Sequence, residues 1–375
     1  RMHVFSKVQL HAMVATNLGD PAAWGVALHE AKLNGRRHRW ADTAASAEER
    51  ARPVVLFMHG WPESWFSWRH QLKAVRAAGY RGIAPDMRGY GGTDAPEHMA
   101  NYNVYALAAD MLALLQHLGT STVALVGHDH GASLGWKLAL LHPDVFVCYM
   151  AMSVPFGGRA PAPPVKSMRS VFGDESKPES DPKFFYILHH QLPNAAADYA
   201  QDTRAALMAI YVGTQPDATA KPPPVASSKL YVNGRSEPLW RRAPQPAAPA
   251  PWMSQAEFDY FVKEFERTGW NGGLNWYRVM DLDWHATPQF EGQTVKQPTA
   301  FVAGSQDGVI TMSGGRKMVS AGLKKNCEQL EQVMFIDGAG HWIQQEKPQE
   351  VTQALLEFVG KHRNKLTEAA PRSRL

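Results

Sequence analysis

Three short segments of this 375-residue chain carry residue types that could do chemistry together. The first is Val126-Gly127-His128-Asp129-His130-Gly131-Ala132-Ser133. An apolar run over residues 122–126 stops at Gly127, and an amphipathic pattern resumes at Ala132 and continues to about His142, so a short buried strand turns sharply into a helix. The residue on such a turn stands above the sheet, where a neighbouring backbone N–H can face the same point. Here that residue is Asp129, and a carboxylate in this place attacks saturated carbon and is left as an ester. An Asp can also serve as a plain helix cap, but a cap does not need glycines on both sides. The second segment, Ser305-Gln306-Asp307-Gly308, follows the apolar residues 299–304, and the third, Asp337-Gly338-Ala339-Gly340-His341-Trp342, follows the apolar residues 333–336. Each candidate sits just beyond a strand on a glycine-containing loop, where function concentrates. That position favours Asp307 over Asp281, Asp283 and Asp337, and the Gly-Ala-Gly run singles out His341 among 16 histidines. A histidine oriented by a carboxylate is a general base, so the three together could form an ester and then hydrolyse it.

The elements that must position these groups alternate. Residues 54–58 form a continuous apolar strand of the kind buried on both faces of a parallel sheet, running into His59-Gly60-Trp61-Pro62. A helix over 64–78, a strand over 81–85, and a loop over 86–94 with three glycines come next. A helix over 104–118 then leads to the central strand, and residues 145–151 read as the strand after it. This βαβα repetition, with its candidates at the C-terminal ends of strands, predicts an α/β protein with a mostly parallel sheet flanked by helices. The order nucleophile, acid, histidine is that of the α/β-hydrolase fold, where the turn normally carries Ser. Ahead of this core, residues 5–16 and 24–33 read as strands, and the polar, alanine-rich residues 34–52 as a surface excursion. Beyond Val154 the pattern breaks. Proline-rich stretches at 160–164 and 216–251 bracket helical patterns around 184–191 and 198–211. A further helix has Ser254 as N-cap, Glu257 completing a capping box, and Phe258, Phe261, Val262 and Phe265 on one face. Strand alternation returns at 298–302. The organisation expected is a core over 1–154, a mostly helical lid inserted over 155–290, and the second part of the core with a tail over 291–375.

Composition excludes several classes. Hydrophobic residues at 45% and charged residues at 20% describe an ordinary globular protein. A net charge of +4 with scattered basic residues does not suit nucleic acid. Two cysteines, Cys148 and Cys327, make neither a disulfide scaffold nor a metal site. No apolar run reaches membrane-spanning length and no secretory signal is visible. The chain opens on Arg1 rather than Met, so a short preceding segment is expected.

His59-Gly60-Trp61-Pro62-Glu63-Ser64-Trp65, Gly127-His128-Asp129-His130-Gly131, Leu274-Asn275-Trp276-Tyr277-Arg278 and Gly340-His341-Trp342 together resemble the soluble epoxide hydrolases, in the hydrolase domain of the mammalian and plant type. The resemblance covers about residues 53–359. It implies two lid tyrosines that hold the epoxide oxygen. One resembles Tyr277. The other resembles Tyr186, since Tyr186-Ile187-Leu188-His189-His190-Gln191-Leu192-Pro193 is similar to the family's tyrosine segment, with His190 where Phe is usual and Asn194 where Gly is usual. Tyr199 and Tyr211 stay open as alternatives to Tyr186. The family also has Trp after the nucleophile where this chain has His130. The resemblance implies an oxyanion hole of the backbone N–H groups of Trp61 and His130, a role indifferent to that change. A haloalkane dehalogenase would need that Trp to hold halide and ranks second. The implied reaction takes a small apolar epoxide and water to a vicinal diol, with no metal or organic cofactor, in a monomer or homodimer. Finally, Ser373-Arg374-Leu375 resembles the Ser-Lys-Leu peroxisomal address, which predicts a eukaryotic protein divided between cytosol and peroxisome.

Overall fold

The computed structural model describes residues 20–173, 184–213, 231–232, 239–242 and 246–367. The strand expected over 5–16, most of the proline-rich stretch 216–251 and the terminal Ser373-Arg374-Leu375 lie outside the described residues. The strands are β1 (Ala27–Leu33), β2 (Arg36–Asp42), β3 (Val54–Met58), β4 (Arg81–Pro85), β5 (Val123–His128), β6 (Phe146–Met152), β7 (Phe184–Phe185), β8 (Tyr231–Val232), β9 (Val295–Gly304) and β10 (Cys327–Ile336). Eight of them form one sheet in the order β1-β2-β4-β3-β5-β6-β9-β10. The β1–β2 and β2–β4 pairs are antiparallel and the rest parallel. Every residue of β3 and β5 is buried, as continuous apolar strands sandwiched between helices must be.

Within residues 34–52 the expected surface excursion is confined to about 45–52, and residues 36–42 form a strand instead. Asn34 (φ 49°) and Gly35 (φ 76°) both take the left-handed conformation that a tight hairpin turn requires, and β2 follows them directly. The basic residues of β2 disguise it. Arg39 reaches Asp86 at 2.5 Å and pairs with Glu264, and His38 lies 3.4 Å from Asp110, so charge that reads as solvent-facing is neutralised by distant parts of the chain. The helix expected over 64–78 is split into a 3-10 turn, Trp65–Trp68, and an α-helix, Arg69–Ala77.

Between β6 and β9 the described chain is helical apart from the short β7–β8 pair. The helix Gln255–Thr268 has the anticipated capping box at Ser254 and Glu257, and it buries Phe258, Phe261, Val262 and Phe265. Glu257 serves twice, because its other oxygen accepts from Arg69 Nε at 2.7 Å in the core. Further ties run from Tyr211 Oη to the Pro62 carbonyl (2.5 Å), from Trp276 Nε1 to the Arg88 carbonyl (2.9 Å) and from Val104 N to Asp283 (2.8 Å). No helix among the described residues is long and apolar enough to cross a membrane.

Candidate active site

The parallel strands end on one edge of the sheet, and each core candidate lies just past such an end. Asp129 follows β5 with φ 52° and ψ −117°, a strained backbone for a residue with a side chain. The turn holds because glycines let it pack. A Cβ on Gly131 would lie 2.1 Å from the Met58 carbonyl oxygen, and one on Gly60 would lie 2.4 Å from Asp129 Cβ. The loop after β3 therefore runs against the Asp129 turn. There the Trp61 N–H donates to Asp129 Oδ1 at 2.9 Å.

His341, in the loop after β10, lies on the other side. Its Nε2 is 3.5 Å from Asp129 Oδ2, and its Nδ1 is 3.1 Å from each carboxylate oxygen of Asp307. Asp307, after β9, is 1% exposed, and its Oδ1 also accepts from Val309 N at 2.8 Å. The three expected rivals are committed elsewhere. Asp281 accepts from Val165 N and Lys166 N, Asp283 from Val104 N and Lys137, and the exposed Asp337 faces Arg316.

The electrostatics follow from this placement. Burial alone would push the His341 imidazole down, but Asp307 and Asp129 on its two sides outweigh it and hold the ring well above its ordinary pKa. Burial would likewise raise Asp129, yet the neighbouring imidazoles of His130, His341 and His128 hold it far below the usual carboxylate range.

Tyr186 and Tyr277 come together from two helices, Tyr186–His190 and Asn271–Arg278, with ring centroids 6.0 Å apart. The two helices are clamped. Arg278 donates to the carbonyls of His190 (2.9 Å) and Leu192 (3.0 Å), and Gln191 Nε2 to the Tyr277 carbonyl (3.2 Å). Burial, then the charge of Asp129 among other neighbours, raises both phenols, so they stay protonated; a hydrogen bond between the two hydroxyls pulls the other way at Tyr186 without reversing this. The alternatives are engaged otherwise. Tyr199 stacks on Trp270 and shares a 2.9 Å hydrogen bond with His190 Nε2, and Tyr211 donates to Pro62. His130 opens the helix His130–Leu141, and its ring meets that of Tyr277 edge-on at 4.2 Å.

Three groups escaped the sequence reading. Glu63, fully buried, accepts from Gly60 N (2.8 Å) and Gln344 (2.7 Å) and faces His128 Nδ1 (2.7 Å). His128 Nε2 in turn meets the His341 carbonyl at 2.8 Å, which Ser153 Oγ also reaches at 3.1 Å. Glu346 accepts from both Gly340 N (2.7 Å) and Trp342 N (2.8 Å), bracketing His341. Glu63 and His128 stand inside motifs that were legible, but only the fold shows that they join the Trp61 loop to the His341 loop. No spacing signal points to Glu346.

Comparison with known proteins agrees with this architecture. The model of the alpha/beta hydrolase fold matches residues 53–348. The chain is 39% identical to Epoxide hydrolase A of Mycobacterium tuberculosis over 87% of this chain and 95% of that protein. To Epoxide hydrolase 2 of Siraitia grosvenorii it is 36% identical, over 82% of this chain and 92% of that one. The crystal structure of Epoxide Hydrolase A from Mycobacterium thermoresistibile superposes with a TM-score of 0.78 at 37% identity, covering 89% of this chain and 98% of that one. With an aspartate on the strained turn and relatives of this kind over most of its length, the chain belongs to the epoxide hydrolases of the α/β-hydrolase superfamily.

Proposed function

We propose that the protein converts an epoxide and water to a vicinal diol through an ester formed on Asp129. One observation carries the reading: a single carboxylate holds the Trp61 N–H on one oxygen and faces His341 Nε2 with the other, and its charge is felt by both of the paired phenols. Tyr186 and Tyr277 hydrogen-bond the oxirane oxygen. The ionised Asp129 attacks a ring carbon, the carbon–oxygen bond breaks, and the oxygen takes a proton from a phenol. Esterification removes the negative charge of Asp129 from beside His341. One of the two anions that hold the imidazole proton is then gone, so His341 becomes a base at the step that needs one. Backed by Asp307, it takes a proton from water, which attacks the Asp129 carboxyl carbon. The developing oxyanion is met by the N–H groups of Trp61 and His130 and then collapses: the ester carbon–oxygen bond breaks, the departing diol oxygen takes the proton held by His341, and the second proton of the water restores the phenol, leaving Asp129 ionised again. Every group the scheme requires belongs to the chain itself.

The segment 155–290 acts in this reading as a lid over a core formed by 1–154 and 291–375, with Tyr186 and Tyr277 as its contribution to the site. A single turnover in heavy-oxygen water tests the scheme: the diol should leave with unlabelled oxygen and the label should appear in Asp129. Label in the first diol, or halide release from haloalkanes with no diol from any epoxide, would overturn it. Removing one phenol oxygen should slow ring opening without touching the fold. Tyr277→Phe and Tyr186→Phe should each cost about 10²-fold in the alkylation rate, and the double variant should be nearly inactive. A parental rate in Tyr186→Phe beside an impaired Tyr199→Phe would move the role to Tyr199.

The proposed setting is metabolism or detoxification of lipid-like epoxides by a monomer or homodimer divided between cytosol and peroxisome, and Ser373-Arg374-Leu375 supports the peroxisomal share alone. A fluorescent protein fused to the N-terminus should co-localise with a peroxisomal marker, and a diffuse signal unchanged on removing Leu375 would exclude the peroxisomal share.

A further inference from the structure

Among the described residues, three that are not glycine take a positive φ: Asn34 (49°), Asp129 (52°) and Ser153 (67°). The first makes the β1–β2 hairpin turn and the second carries the nucleophile. The scheme above gives the third nothing to do. Ser153 follows β6, which runs parallel to β5, and is wholly buried. It is the middle of a three-residue turn closed by Val154 N, which donates to the Met152 carbonyl at 2.8 Å. With its middle residue at positive φ, this is the rare and strained form of such a turn. The turn also joins the pieces of the site. The Met152 carbonyl accepts from Asp129 N at 3.3 Å, Ser153 N donates to the Val302 carbonyl of β9 at 3.1 Å, and Ser153 Oγ donates to the His341 carbonyl at 3.1 Å. A buried serine whose hydroxyl merely finds a partner is the plain alternative. It leaves the strain without a reason. Glycine would take the same φ freely and bring no hydroxyl to satisfy, and the His341 carbonyl would still accept from His128 Nε2 at 2.8 Å.

Resting on the function proposed above, we infer that Ser153 is a positioning residue for the second half-reaction, its strained turn aiming a hydroxyl that fixes the His341 backbone and so the direction of the base. The His341 ring must face Asp307 and Asp129 at once, 3.1 Å from one and 3.5 Å from the other. Glycines at 338 and 340 leave the preceding loop free to turn, so the aim has to be set elsewhere. It is set at the peptide between His341 and Trp342. The carbonyl of that peptide accepts from Ser153 and His128, and its N–H donates to Glu346 at 2.8 Å, so the plane is pinned at both ends. A tilt of the plane swings the ring, and moving a reacting group by about 1 Å can lower a rate by about 10²-fold. Ester hydrolysis needs Nε2 placed against a water. Ring opening needs the ionised Asp129 and the phenols, so it does not depend on this aim.

The test follows both phases by rapid mixing in the parent, Ser153→Ala and Ser153→Gly, with styrene oxide and trans-2,3-epoxyhexane as substrates. Alanine keeps the strain and removes the hydroxyl, whereas glycine removes both. Ester hydrolysis should fall about 10-fold or more in each variant while alkylation stays within about twofold of the parent. Thermal melts separate strain from function, since Ser153→Gly should melt above Ser153→Ala. The opposite order would overturn the reading of the turn as strained. Parental hydrolysis in both variants would overturn the assignment while leaving the epoxide reading intact. An equal fall in both phases would do the same, because the turn would then be scaffold alone. Slow hydrolysis in Ser153→Ala beside a parental rate in Ser153→Gly would also count against it, as the hydroxyl is missing from both. Should Ser153→Ala fail to fold, Ser153→Gly alone decides by whether its hydrolysis falls and its alkylation does not. Turnover of neither epoxide by the parent would overturn the function and this role with it.

Discussion

Asp129→Ala should be inactive, with turnover lowered by about 10⁴-fold or more, because the group that forms the new bond is gone and no neighbour can take its place. The other carboxylates of the site are held by different work: Asp307 orients His341, and Glu63 joins Gly60, Gln344 and His128. The variant should fold, since Asp129 Oδ1 meets one backbone N–H and the strained turn is secured by Gly131 against Met58. Alanine at a positive φ keeps the strain that Asp already bears. The check is twofold: steady-state rates with circular dichroism for the fold, and intact-mass measurement after mixing with excess epoxide. The parent should show a transient mass increase equal to one substrate, and the variant none. A variant that retained the adduct would place the nucleophile elsewhere.

His341→Gln should separate the half-reactions. Ring opening needs only the ionised Asp129 and the phenols, so a burst of substrate loss equal to one equivalent of enzyme is expected. The ester should then persist, its hydrolysis slowed by about 10³-fold or more for want of a base. The same logic fixes the sign of the pH dependence in the parent. Asp129 is held far below the usual range, so its ionised form prevails throughout the neutral region and alkylation should be flat there. In the ester, His341 keeps only Asp307 as an anionic neighbour, and hydrolysis should rise with pH as that imidazole loses its proton. Stopped-flow tryptophan fluorescence resolves the two phases. Loss of both phases in a folded His341→Gln would remove the histidine from the second step alone.

How much of this could be read beforehand depended on the range of the interactions. The turn around Asp129 was legible because its causes are local: an apolar run, glycines at 127 and 131, then helical periodicity. Asp307 and His341 were legible for the same reason, each standing just past an apolar strand. The β1–β2 hairpin was not, although Asn34-Gly35 is a strong turn signal, because the partners of Arg39 lie 47 and 225 residues away and its charge masked the strand. Tyr186 could be suggested by resemblance but not chosen over Tyr199 and Tyr211. The three hydroxyls differ in their partners, Tyr277 for Tyr186 but His190 for Tyr199 and Pro62 for Tyr211, and those partners are visible only in the fold. The Glu63–His128–His341 connection is of the same sort, with residues 63, 128 and 341 adjacent only through the sheet order.

The ties between the helical segment and the sheet bear on how the molecule melts. Arg69 with Glu257, Arg39 with Glu264, Tyr211 with Pro62 and Asp283 with Val104 are spread along the contact and not gathered at one hinge. Arg69 is fully buried, and taking Glu257 away from it would strand a charge out of water at about 3–5 kcal/mol. Neither body can therefore lose its structure while the other keeps its own. In scanning calorimetry the whole chain should unfold as one cooperative transition, with calorimetric and van't Hoff enthalpies in agreement, despite its two differently built parts. Two resolved peaks would show that the ties are too weak to make the helices and the sheet a single thermodynamic unit.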